Sequence, residues 1–184
     1  MARAPKTAPI LESERLRLRP FRAGDLKALH ALYSDVENLR WWGIDPSPSL
    51  DETQRMLRWH LAYHPFQYVL WAVEEKKSKR LIGMINYSRR DMRERRVEVG
   101  WIMAADRQGK GYMTEAARAL LSYLIDRLRI HKIEALIRPE NKPSAALAKR
   151  LGFRVEGGPI RDRWWVGGQW HSVMLYGLVA GEEK

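Results

Sequence analysis

Between a predicted strand and a predicted helix the chain runs Gln108-Gly109-Lys110-Gly111-Tyr112-Met113, a pattern suited to holding an anion. A loop that opens a helix exposes the unpaired backbone N–H groups of the first turn. Two glycines permit positive φ and close approach of a ligand. The helix dipole adds about half a positive charge at that end, and Lys110 adds a full one nearby. Together these features suit a pyrophosphate. The same glycines also suit an ordinary turn into a helix, and the loop alone does not separate the two. The P-loop pattern G-x-x-x-x-G-K-S/T is absent, and the dinucleotide pattern G-x-G-x-x-G fails at its third glycine, where Thr114 stands. His60 and His64 lie four apart on a predicted helix, the spacing of a chelating pair. No third ligand accompanies them, so a packing or surface role is expected, with no metal. The chain has no cysteine, which excludes disulfides, thiolate metal sites and a cysteine nucleophile.

The elements that must position this loop are legible from periodicity. Leu16, Leu18 and Pro20 alternate with Arg15, Arg17 and Arg19, a strand with one wet face. Helical spacing follows over 25–34, with Asp25 as its N-cap, and again over 51–63. Strands are predicted over 67–74 and 81–87. Residues 89–96 hold five arginines with Asp91 and Glu94 and read as a hairpin tip. Val97, Val99 and Trp101 then alternate with Glu98 and Gly100 in a strand. After the glycine loop, Met113, Ala117, Leu120, Leu121, Leu124 and Leu128 share one helical face. A strand over 132–138, a helix over 144–151 opened by Ser144 and closed by Gly152, and two strands around Gly167-Gly168 complete the chain. Adjacent Trp164 and Trp165 cannot both point inward from a strand. Residues 97–128 followed by 132–138 form a βαβ unit, whose two strands should run parallel.

Composition sets the outer limits. The chain has 184 residues, 45% of them hydrophobic and 10% aromatic, enough for one real core. We expect a flexible tail over 1–9 and a single α/β domain over 10–180. No stretch approaches the ~18 apolar residues of a membrane span, and the first residues lack the apolar core of a signal peptide. A cytoplasmic protein without membrane attachment is expected. Net charge is +11, from 33 Lys and Arg against 22 Asp and Glu. That suggests nucleic acid, a phosphorylated cofactor or an acidic partner, or no more than a basic surface. A non-catalytic nucleic-acid-binding module is the rival this charge motivates, but no helix-turn-helix, zinc-finger or RNP signature supports it.

The loop resembles the acetyl-CoA pyrophosphate loop of the GNAT superfamily of N-acetyltransferases, Q/R-x-x-G-x-G/A. Gln108 and Gly111 match, and Met113 replaces the final small residue, as in the family's ribosomal-protein branch. Glu14-Arg15-Leu16-Arg17-Leu18-Arg19-Pro20 resembles the family's first strand, and Val97-Glu98-Val99-Gly100-Trp101 its fourth. Asn141-Lys142-Pro143-Ser144 resembles its N-x-x-S block, Leu151-Gly152-Phe153 its L-G-F block, and Gly168-Gln169-Trp170 its G-x-W element, although His171-Ser172 follows where the family often has x-D. The similarity spans 12–178 and is nearest the RimJ/RimL-type N-terminal acetyltransferases of ribosomal proteins.

The resemblance implies a GNAT-like fold: a mixed, mostly antiparallel sheet of about seven strands flanked by about four helices, with a splayed parallel pair at the cofactor site. It implies that backbone groups of Trp101, Ile102 and Met103 hold the pantetheine arm of acetyl-CoA, and that one N–H polarises the thioester carbonyl. Gln108, Gly109, Lys110, Gly111, Tyr112, Met113 and Thr114 would hold the pyrophosphate, Asn141 the cofactor arm, and Lys149 or Arg150 a nucleotide phosphate. Glu98 is the candidate base, acting directly or through water. Its competing role is a solvent-facing carboxylate paired with an arginine of 93–96. Ser144 is the candidate acid for the leaving thiolate, or simply a helix cap. Trp41, Trp42, Arg163 and Trp164 would border the acceptor cleft. The acceptor would be an amine, foremost a ribosomal protein N-terminus. About 15% of an α-amine is neutral at pH 7, against about 0.04% of a lysine amine. A polyamine, an amino acid or an antibiotic is the alternative. Weak association with ribosome or RNA through residues 89–96 and homodimer formation complete the expected partners.

Overall fold

The computed structural model describes residues 7–62 and 68–182. Strands β1 (Leu11–Glu12) and β2 (Leu16–Arg19) precede helices α1 (Leu26–Tyr33), α2 (Val36–Leu39) and α3 (Leu50–Leu61). Strands β3 (Tyr68–Glu75), β4 (Leu81–Asp91) and β5 (Arg96–Met103) lead into α4 (Tyr112–Ser122). Strand β6 (Lys132–Ile137), α5 (Lys142–Arg150), β7 (Arg154–Val166) and β8 (Gln169–Val179) follow. All eight strands form one sheet in the order β1-β2-β3-β4-β5-β6-β8-β7. Among the described residues only β5 and β6 run parallel, as the βαβ reading requires. The strand and helix beyond the expected numbers are β1 and α2. At two and four residues they are too short to show a period.

Apolar side chains on both faces of β3 and β4 explain why these strands read as runs rather than alternation. On one face Leu18, Trp71, Val73, Ile85, Tyr87, Val97 and Val99 pack against Ala116, Ala117, Leu120 and Leu121 of α4 and Leu147 and Ala148 of α5. On the other, Leu70, Ala72, Met84 and Ile102 pack against Leu29, Leu32 and Tyr33 of α1 and Leu57 of α3. Among the described residues no helix is long and apolar enough to cross a membrane.

Local chemistry moved several expected boundaries. Asp25 stands at the N-cap of α1 but does not cap that helix with its side chain. Its carboxylate instead accepts two bonds from the Arg19 guanidinium, each 2.8 Å. Arg19, expected on the wet face of β2, is buried, because Asp25 and Glu74 supply the charge that makes its burial tolerable. The helix after Gly111 is α-helical to Ser122 and then widens into one π-helical turn over Tyr123–Arg127. Helix α5 begins before Ser144, because the Asn141 side chain accepts the Ser144 N–H at 3.2 Å and is the cap. Within the stretch expected as a tail, Ala8 packs in the core and the Pro9 carbonyl accepts the Trp71 indole N–H at 2.7 Å. Residues 1–6 lie outside the described residues, as do His64 and the ends of the predicted helix 51–63 and strand 67–74. Residues 92–95 turn β4 into β5, with Asp91 accepting the N–H groups of Arg93 and Glu94 at 2.9 Å.

Candidate active site

Strands β5 and β6 pair at only three registers, Arg96↔Lys132, Val97↔Ile133 and Glu98↔Glu134. Beyond Glu98, β5 stays on β4 as far as Gly83↔Met103, while β6 follows β8 to Ile137↔Met174. The two strands therefore splay, and the edges facing the gap carry backbone groups with no strand partner. Alternation tells which ones. The Met103 carbonyl points away from β4 and accepts from the Asn38 amide at 2.8 Å and the Gln108 amide at 3.0 Å. The N–H of the next residue, Ala104, donates to Ile82 of β4 at 2.8 Å. Trp101, two residues back from Met103, faces the gap with it. Ile102 does not: its carbonyl lies on the β4 side, 2.6 Å from where a Gly83 Cβ would stand.

A cavity of about 1570 Å³ runs through the gap. Single-ligand sites are typically about 300–1,000 Å³, so this one has room for two substrates. It touches both layers of helices, Met113 and Ala119 on the α4 side, Tyr33 and Met56 on the α1–α3 side. At the α4 end, Gly109 and Gly111 hold φ of 73° and 78°. The first intrahelical bond runs from Glu115 N–H to the Gly111 carbonyl at 3.1 Å, so the N–H groups before it are free to hold an anion. A Cβ on Gly109 would meet nothing within 4 Å, which leaves this backbone open to a ligand. Arg15 adds a cation to the loop: Glu115 anchors it at 2.6 Å, it donates to the Lys110 carbonyl at 3.2 Å, and it lies 4.4 Å over the Tyr112 ring. The cradle thus fits the pyrophosphate of acetyl-CoA.

Side chains within the loop divide by role. Gln108 ties it to the end of β5. The Lys110 ammonium donates to the Asp106 carbonyl at 2.9 Å and the Tyr112 hydroxyl to Glu75 at 2.5 Å, so both side chains point away from the cavity wall. Gly111, Met113 and Thr114 line it. Arg150 also lines it and donates to the Thr114 hydroxyl at 3.3 Å, whereas Lys149 does not reach the wall.

The two proton-transfer candidates lie on opposite faces of the sheet. Ser144 is on the α5 side, and its Oγ accepts the Trp101 indole N–H at 3.3 Å. That bond leaves the hydroxyl proton free to point elsewhere. Glu98 shares the α1–α3 face with Gly100 and Ile102 by strand alternation. Its carboxylate is 19% exposed and pairs with Arg89 at 2.7 Å, not with the expected 93–96 group; Arg96 pairs with Glu134. Burial pushes the Glu98 carboxyl up from the ordinary value, against the pull of Arg89 and Arg163.

The same face carries the expected acceptor residues. Trp42 lies over Gly100, and Trp164 lies against Gly43, 3.4 Å from where its Cβ would be. Trp41 is flanked by the Arg40 and Arg138 guanidiniums at 4.5 and 5.1 Å. Trp165 is the exposed member of its pair, at 54%. Arg163 lies within electrostatic reach of Glu98 but not on the cavity wall. Sequence reasoning missed Arg15, Tyr33, Asn38 and Asn86, while His60 has the packing role expected of it. His60 Nε2 lies 2.7 Å from the Tyr33 hydroxyl, and burial lowers its pKa to about 4. Among the described residues no group of three metal-ligating side chains exists.

Comparison with known proteins places this geometry. The sequence profile described as "Acetyltransferase (GNAT) domain" matches residues 15–154. The chain is 28% identical over 176 residues to the "Uncharacterized N-acetyltransferase YoaA" of Bacillus subtilis, covering 95% of this chain and 99% of that one. The crystal structure of the spermidine N-acetyltransferase from Vibrio cholerae in complex with CoA and spermine superposes with a TM-score of 0.78 at 26% identity, covering 91% of this chain and 96% of that one. The ribosomal-protein-S5-alanine acetyltransferase of Vibrio fischeri superposes at a TM-score of 0.76 over 96% of this chain and 100% of its own, and at 21% identity shares the fold.

Proposed function

The chain belongs to the GNAT family of acetyl-CoA-dependent N-acetyltransferases, and from that premise we propose that its acceptor is the N-terminal α-amine of a protein. The observation that carries the acceptor is the charge at the mouth of the α1–α3 side. Glu98 is paired with Arg89 and overlooked by Arg163, Glu37 is paired with Arg40 at 3.0 Å, and Asp35 caps α2. Three carboxylates are thus matched by three guanidiniums, Arg89, Arg163 and Arg40, and none of these carboxylates stands without a partner. A polyamine would bring extra cations with no unpartnered carboxylate among these to receive them. A peptide brings one amine and a neutral backbone. The likeness to spermidine acetyltransferases supports the chemistry, while the already partnered carboxylates at the mouth favour the peptide.

Acetyl-CoA supplies the activated acetyl group as a thioester. Trp101 and Met103 present backbone N–H groups to the gap, where a donor aimed at the developing oxyanion is worth on the order of 3 kcal/mol. The amine nitrogen attacks the thioester carbon from the Glu98 face, forming C–N. Glu98 takes the amine proton, directly or through a water. The C–S bond breaks, and the Ser144 hydroxyl gives the thiolate its proton and recovers one from solvent.

The reading is tested by thiol release from acetyl-CoA with N-terminal ribosomal peptides, their N-blocked forms, free amino acids, polyamines and aminoglycosides. Transfer to free but not blocked peptides is expected. Transfer to polyamines alone would overturn the acceptor and keep the chemistry. Ser144→Ala is expected to lower kcat about 10²-fold, with little change in KM for acetyl-CoA. Because Asn141 is the cap, the melting temperature should hold. Unchanged kcat would remove Ser144 from the proton path.

A further inference from the structure

We propose that Asn86 contacts the acceptor directly, its side-chain oxygen taking one N–H of the incoming amine beside Glu98; the inference rests on the acetyl-transfer reading above. Asn86 sits in β4 between Ile85 and Tyr87 and is 6% exposed. Its Oδ1 is buried with no hydrogen-bond partner, yet the residue lines the cavity. Buried side-chain oxygens are almost always paired, and an unpaired one costs stability. An orphan acceptor on the wall of a substrate cavity marks the place where a donor arrives.

The surroundings define that donor. Asn86 is opposite Gly100 in the β4–β5 register. A Cβ on Gly100 would stand 2.8 Å from Oδ1 and 3.3 Å from the Trp42 ring, so the glycine makes room for the amide. Glu98, two residues before Gly100 on the same face, is the diagonal neighbour, with Cα atoms about 7–8 Å apart in such pairs. The incoming amine would sit between them. It offers one N–H to Asn86 and another toward Glu98, and its lone pair then faces the splay. Trp42 closes the remaining side. A neutral amide oxygen suits this task better than a second carboxylate. It accepts a hydrogen bond from amine and ammonium alike, and does not hold the amine in its charged, unreactive form as an added anion would.

The test is Asn86→Leu, which keeps the volume and removes the oxygen. Its kcat/KM for the amine should fall about tenfold or more, with acetyl-CoA affinity unchanged. Its melting temperature should hold or rise, because a buried unpaired oxygen is gone. Asn86→Asp should move the alkaline limb of the pH–rate profile upward by stabilising the ammonium. Unchanged kcat/KM in Asn86→Leu, or an unmoved profile in Asn86→Asp, would overturn the proposal. Peptide and polyamine acceptors are both run. If wild type acetylates only a different amine, the N-terminal reading fails and Asn86 is judged on that amine. If it acetylates none, the melting temperature of Asn86→Leu decides, a fall making Asn86 a packing residue.

Discussion

Glu98→Gln is expected to lower kcat/KM for acetyl transfer by about 10²–10³, the range of a positioned general base, with acetyl-CoA affinity unchanged. Glutamine keeps the volume and can still accept from Arg89, but it takes no proton. Burial holds the Glu98 carboxyl above its ordinary value although Arg89 and Arg163 pull it down, which brings its basicity nearer the working pH. The wild-type rate should therefore rise with pH through that raised value and rise again as the amine deprotonates; the variant should keep only the second limb. The same shift has a stability consequence. Between its unfolded and its raised folded value, Glu98 binds more proton in the folded state. Stability therefore falls as pH rises through that window and stays lowered above it. At neutral pH, Glu98→Gln should be at least as stable as wild type, with the difference fading in acid. Arg89, 55% exposed on its side chain, loses little when its partner loses its charge. A lower melting temperature with unchanged kcat/KM would make Glu98 a structural ion-pair member and leave the proton to solvent.

Much of this arrangement was legible in the sequence, because the parts proposed to position acetyl-CoA are local. The glycines at 109 and 111, the strand alternation from Val97 and the apolar face of the following helix each lie within one element, and the parallel pairing follows from the βαβ order. The acceptor side is non-local. Asn86 reads as one polar residue in an apolar strand, and its meaning depends on Gly100 and Trp42, 14 residues ahead and 44 behind. Arg15 carries a strand period in the sequence and acquires its place at the glycine loop only through Glu115, 100 residues later. His60 has the spacing of a chelator, but packing turns it to Tyr33. Arg19 defeats a two-face reading because its partners, Asp25 and Glu74, are 6 and 55 residues away.

Arg19→Met should be the most destabilising of the changes considered, at about 3–5 kcal/mol. The Arg19 side chain is 8% exposed and holds Glu74 at 2.7 Å and Asp25 through two bonds of 2.8 Å. Methionine fills most of the space and leaves both carboxylates, each 4% exposed, without their main partner. For a domain of this size the cost corresponds to a melting temperature lower by about 6–20 °C. Arg22 also reaches Glu74 at 3.2 Å, but it is 61% exposed on its side chain, so Arg22→Ala should cost no more than about 1 kcal/mol. Replacing Arg19, Asp25 and Glu74 together by apolar residues of similar volume should recover most of the loss, since the penalty comes from stranded charge rather than from a missing bond. The network clamps the head of α1 to β2 and β3, whereas the splay lies at β5 and β6, so kcat per folded molecule should be preserved. A fall in melting temperature below 2 °C would mean that Arg22 swings in to replace the lost guanidinium, and the Arg19→Met, Arg22→Ala double variant would then show the full cost.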